Sequence, residues 1–221
     1  MISTTLNNIW AAHQDRALAK KLLETLGDQW HWDSPIAYAD LVTYVGVYQA
    51  ARCMAAEPQH QRVWDLFNAL CLNELRPHLG KQSLEAITVL EEFNLHADTA
   101  RRESALGQAK YGVELLHLKK YRGGVTKYRG LDFRLAIYAA EAVVTALTTN
   151  LSHLTSWKCA NVMIEKSEKT RLEASQEDLG TETIGAKVMS IITEKFIDSL
   201  TLAESMTNEP IDEQRARNRI S

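Results

Sequence analysis

The sequence predicts an all-α fold, a compact bundle of about six to eight helices around a long buried central helix at about residues 131–164. Three observations carry that expectation. Residues 131–179 contain neither glycine nor proline and are fenced by Gly130 and Gly180; those are the two residue types that interrupt helices. Within this stretch residues 135–147 are apolar on every face, and a helix apolar all round sits among other helices. Finally, no run alternates at period two and no Asn-Gly or Asp-Gly hairpin occurs, so no strand is expected.

Taken in order, the first helix is expected over about residues 6–26. Leu6, Ile9, Trp10, His13, Ala17, Leu22 and Leu26 recur at helical spacing, and Gly27 stands where a C-terminal glycine belongs. A loop with Trp30, His31 and Trp32 follows. Ser34-Pro35 reads as a capping hydroxyl and a first-turn proline, opening a second helix to about residue 56. The third carries Val63, Leu66, Phe67, Leu70 and Leu75, and stops near Pro77 and Gly80. The fourth is capped by Ser83 and is expected to break at residues 94–98. The next, about 99–121, has Ala105, Ala109, Val113 and Leu116 as its stripe. The central helix comes after a glycine-containing loop. If it breaks, residues 148–150 are the place, because Thr148, Thr149 and Asn150 compete for backbone hydrogen bonds. Residues 165–178 are densely charged and read as a solvated helix end or exposed linker. The last helix, about 183–206, precedes Pro210. The organisation expected is one helical domain over 1–210 and a flexible tail over 211–221.

Composition narrows the function classes. Apolar residues make up 45% and charged residues 24%, and the formal net charge is −3. That balance argues against a wholesale nucleic-acid coat but leaves room for a local basic patch. Cys53, Cys71 and Cys159 form no C-x-x-C and read as core residues of a reduced compartment. With no signal peptide and no membrane-spanning stretch, a cytoplasmic location is expected.

Motifs for chemistry are sparse. The chain lacks H-E-x-x-H, G-x-S-x-G, a P-loop and G-x-G-x-x-G. Glu114 and His117 make one helical E-x-x-H, whereas a di-iron bundle needs two of them with two more glutamates; the second E-x-x-H, Glu57 to His60, contains Pro58. No metal or cofactor is expected. Glu141 is the single charged residue in the apolar run 135–147, hence a candidate buried carboxylate that is catalytic, or else it pairs with a basic residue of a neighbouring helix or lies on a more exposed face. His13, on the apolar side of the first helix, reads as a hydrogen-bonded core residue.

Two surface candidates remain. Trp30, His31 and Trp32 are placed to anchor a partner protein, or else to plug the ends of their own helices. The second candidate is the segment 119–134, in which Lys-Tyr-Arg-Gly occurs twice. Its Lys119, Lys120, Arg122, Lys127, Arg129 and Arg134 face one acid, Asp132, and Tyr121 and Tyr128 are available to stack on bases. Glycines there let backbone N–H groups approach an anion. The opposite reading pairs these cations with the acids of 165–178. The leading function is thus a small helical interaction protein (adaptor, antitoxin or immunity-type binder) with a protein partner. A nucleic-acid or phosphate binder using the basic segment, and a helical enzyme built around Glu141, are the alternatives. Oligomeric state is not legible.

Overall fold

The computed structural model describes residues 2–13, 16–27, 30–91, 99–121, 130–148, 152–173 and 181–208. Within them the fold is an all-α bundle of ten helices with one two-stranded ladder. The strands are β1 (Ser3–Thr4) and β2 (Ile36–Ala37), paired antiparallel with Ser3 opposite Ala37 and Thr4 opposite Ile36. This corrects the expectation of no strand: two residues per strand are too few to leave a period-two signal. The ladder also delays the next helix. The Ser34-Pro35 start signal goes unused because residues 36 and 37 pair with the N-terminal segment. The helix opens at Tyr38, whose N–H donates to the Ile2 carbonyl at 3.1 Å.

Of the helix expected over 6–26, α1 (Leu6–His13) and α2 (Arg16–Leu26) are helical, and residues 14 and 15 lie outside the described residues. Gly27 ends α2 with φ of +85°, its N–H donating to the Leu23 carbonyl at 2.9 Å. Gly46, at φ +81°, separates α3 (Tyr38–Val45) from α4 (Val47–Cys53), so the second expected helix is divided. A left-handed glycine closes one helix by bonding back to it and redirects the chain. Short 3-10 turns at Met54–Ala56 and Pro58–His60 lead into α5 (Gln61–Asn73), and another at Arg76–His78 precedes α6 (Lys81–Glu91). Then come α7 (Thr99–Tyr121), α8 (Gly130–Leu147), α9 (Ser152–Glu173) and α10 (Thr181–Asn208). The expected central helix is therefore two helices, parted at the threonine-rich site. Its charged continuation stays helical to Glu173. The expected break at 94–98 and the tail over 211–221 lie outside the described residues.

Helix α8 packs against α5, α6, α7 and α9, and α10 closes the other side over α5 and α9. The alanines at 139, 140, 142 and 146 of α8 are buried and let these neighbours approach closely. One contiguous cluster of buried side chains runs from Leu6 in α1 to Ala203 in α10. Its aromatic centre is Tyr38, Trp64, Phe67 and Phe196, with Tyr38 and Trp64 at 4.9 Å and Phe67 and Phe196 at 5.2 Å between ring centroids. Within the apolar run expected to be buried, Val143 and Leu147 are buried. Val144 is half-buried, because it follows Tyr138 and Glu141 along the one edge of α8 that its neighbours leave open.

Candidate functional site

The residues α4, α9 and α10 bring together form an apolar recess of about 70 Å³, lined by Val47, Tyr48, Ser156, Trp157, Ala160, Met189 and Ile192. Gly46 turns the chain so that Val47 and Tyr48 open α4 beside α9. Along α9, Thr155, Ser156, Cys159, Ala160 and Val162 are buried at helical spacing. That run leaves Trp157 outside the buried face, and the indole stands 53% exposed. Ser156 and Ala160 are too small to fill the floor, and Met189, 37% exposed, forms the lip. The lining holds no carboxylate, imidazole, amine or thiol. The volume is about half that of a cavity that holds benzene. It suits the branched end of an aliphatic side chain and is too small for a cofactor.

A second recess of about 180 Å³ lies between the strand ladder and the C-terminal half of α10, lined by Ile2, Ala37, Asp40, Ile197, Leu200 and Glu204 among others. Glu204 Oε1 there accepts the Ile2 N–H at 3.2 Å, so this region serves to seat the N-terminal segment.

The tryptophan loop divides into two roles. Trp30 is half-buried and packs against the core, with its Nε1 lacking a hydrogen-bond partner among the described residues. Trp32 is 39% exposed and meets Trp10 edge-on at 6.3 Å, while His31 is exposed. The loop is tied to α1: Asn7 N–H donates to the Trp32 carbonyl at 3.2 Å and Asn7 Nδ2 to Asp33 at 2.6 Å. Of the three residues singled out in this loop, Trp32 and His31 therefore face solvent.

Glu141 is not a buried carboxylate. Its side chain is 37% exposed and pairs with Lys158 at 3.4 Å across the α8–α9 contact. Glu114 is exposed and His117 half-buried on α7. Among the described residues no three His, Cys, Asp or Glu lie together as a metal site would require. Of the basic segment, Arg134 is exposed on α8. It reaches Glu165 at 3.6 Å, and its guanidinium sits 5.8 Å from the centre of the Tyr138 ring. Arg122, Lys127, Tyr128 and Arg129 lie outside the described residues, as do the side chains of His13, Lys119, Lys120 and Tyr121. All three cysteines are buried, and none forms a disulfide.

Among the described residues the buried acid is instead Glu57, 4% exposed, in the connection before α5. Asn8 Nδ2 donates to its Oε1 at 2.7 Å, the Gln59 amide donates to its Oε2, and Trp64 Nε1 donates to its main-chain carbonyl at 3.1 Å. Burial alone would raise its pKa. The Thr4 hydroxyl, the Asn8 and Gln59 amides and nearby His60 together hold it below the ordinary carboxyl value. Nothing in its sequence position, beside Pro58 at a helix end, marks it as buried. Trp157 did leave a trace, since the small residues around it repeat at helical spacing without it.

The chain matches no protein-family model, and no curated protein or solved structure is detectably similar to it. No helix among the described residues is long and apolar enough to cross a membrane.

Proposed function

We propose that this chain is an interaction protein that receives an apolar side chain of a partner protein in the recess between α4, α9 and α10. One observation carries the reading: Trp157 stands half-exposed over a recess whose lining is almost wholly apolar. Exposed tryptophan beside methionine on a concave surface is the composition of binding hot spots, where a large rigid ring and an adaptable thioether together exclude water. The lining's polar groups are the Tyr48 and Ser156 hydroxyls and the Trp157 indole N–H, and it holds no carboxylate, imidazole, amine or thiol. Trp32 and His31, on the loop against α1, form a second contact surface of the same character.

The test is affinity purification from the native host with the unaltered chain and with Trp157→Arg. The expected result is a stoichiometric protein lost from the variant while the two unfolding curves coincide. Equal recovery of the same partner by both chains would remove the recess from the reading. Co-purifying nucleic acid in place of protein would transfer the function to the basic segment around Arg122 and Arg129.

A further inference from the structure

We infer that the outer face of α7 is a self-association surface, on which a second copy of this chain docks its own α7 in the antiparallel sense. Helix α7 packs on α6 and α8 through one side, with Ala105 and Ala109 buried. Its other side carries Ala100, Ser104, Gly107, Tyr111, Glu114 and Leu118, all exposed and spaced alternately by four and three residues. That spacing is the seam by which two helices pack along their length.

Two features of this seam have no explanation among the described residues. Tyr111 and Leu118 are 55% and 50% exposed, among the most exposed large apolar residues described. Gly107 lies in mid-helix, where glycine is the poorest choice after proline, and a Cβ built on it would meet nothing within 4 Å. The other interior glycine of α7 differs: at Gly112 a Cβ would come within 3.3 Å of the Gln82 side chain on α6, so close packing inside the chain accounts for it. Gly107 leaves room for something outside.

The seam is complementary to itself. Its large residues lie toward the C-terminal half and its small ones toward the N-terminal half. A two-fold axis at the level of Ala109 sets Tyr111 over the partner's Gly107 and Leu118 over the partner's Ala100, and the same contacts recur in reverse. Such reciprocity is the property of an isologous interface. Along one margin Glu103 faces the partner's His117, a carboxylate against an imidazole donor. Lys110 meets the partner's Lys110 on the same margin, and its long stem can turn to solvent. A parallel pairing would set Tyr111 against Tyr111 and Gly107 against Gly107, leaving both misfits uncorrected. This inference is independent of the recess around Trp157, which lies on α4, α9 and α10.

Sedimentation analysis over a range of concentrations reads the association, and Gly107→Leu tests it. Nothing among the described residues opposes a side chain at 107, so the monomer should fold with an unchanged or raised melting temperature. The leucine would strike Tyr111 across the axis, so dimerisation should be lost. Tyr111→Ala should weaken it by about tenfold or more. Orientation is read by oxidation of the double variant Ser104→Cys/Glu114→Cys, in which each new thiol faces the other kind across the axis. The double variant should form covalent dimers and the single variants should not; the buried native thiols do not interfere. A chain that stays monomeric at every concentration, a dimer indifferent to Gly107→Leu, or cross-linking through Ser104→Cys alone would each overturn the inference.

Discussion

Glu57 shows how one side chain fastens separate segments. Its carboxylate accepts from Asn8 of α1 and from Gln59 of the following turn, and its carbonyl holds the indole of Trp64. The Asn8 and Gln59 amides both donate to it, so an amide in place of the carboxylate would turn its own N–H₂ against one of them. Glu57→Gln is therefore not conservative: it should cost about 1–3 kcal/mol in denaturant unfolding, the penalty of a buried donor left unpaired. The pH dependence follows from the lowered pKa. Glu57 contributes stability above the unfolded carboxyl value near 4.5, and that contribution is lost as pH falls through the lower folded value. Acid unfolding of Glu57→Gln should show a shallower fall than that of the unaltered chain across this window. Tyr38 is the opposite case. Burial pushes its phenol far upward, with Cys53 and Glu57 adding to the effect, and it serves as a neutral donor to the Cys53 carbonyl at 2.8 Å.

At the scale of the element, the end of α8 is held from outside. Arg102 of α7 donates from Nε to the Leu147 carbonyl at 2.9 Å and from Nη2 to the Ala146 carbonyl at 3.2 Å. Its Nη1 meets Asp65 of α5 at 2.6 Å, with both side chains largely buried. One guanidinium thus caps a helix whose last carbonyls lack partners within it and ties together three helices. Arg102→Met should cost about 3 kcal/mol, since it strands a largely buried carboxylate. Arg102→Lys should recover only part of this, because an ammonium cannot reproduce the planar fork. Burial along α8 sets a second scale in the same unfolding experiment. Leu147→Ala should cost about 2–5 kcal/mol. Val144→Ala should cost less, as Val144 is half-buried on the open edge.

For the whole molecule, the three thiols report on the integrity of the core. Cys53 lies in α4, Cys71 in α5 and Cys159 in α9, and all are buried. Burial pushes the Cys71 and Cys159 thiols upward, and mutual proximity adds to the effect on Cys71. The thiolate is the reactive form, so neither inaccessible nor protonated sulfur reacts. Labelling of the native chain by a thiol reagent should be limited by opening of the bundle, and all three should become reactive together on unfolding. A cysteine that reacts in native buffer at the rate of a free thiol would show that its helix opens on its own.

Composition and periodicity determined the all-α class, the burial of α8 and the place where the long glycine-free stretch divides. Those properties depend on residues near one another in the chain: an apolar run, a cluster of threonines, a glycine after Leu26. The same local logic failed at Ser34-Pro35, where a sound start signal lost to strand pairing with Ser3 and Thr4, more than thirty positions away. It failed again at Gly46, since an isolated glycine does not announce whether its φ will be positive. Glu141 looked buried from its apolar neighbours, yet the open edge of α8 beside Lys158 left it half in water. Glu57 looked like an exposed helix end, yet Asn8 and Gln59 enclose it. Trp157 entered the sequence as one more apolar residue of a helical stretch. Its exposure was decided by which face of α9 the small residues turned toward α4, α5 and α10. Whether a charge is covered or an indole uncovered depends on neighbours brought from distant segments, and only the packed tertiary structure supplies them.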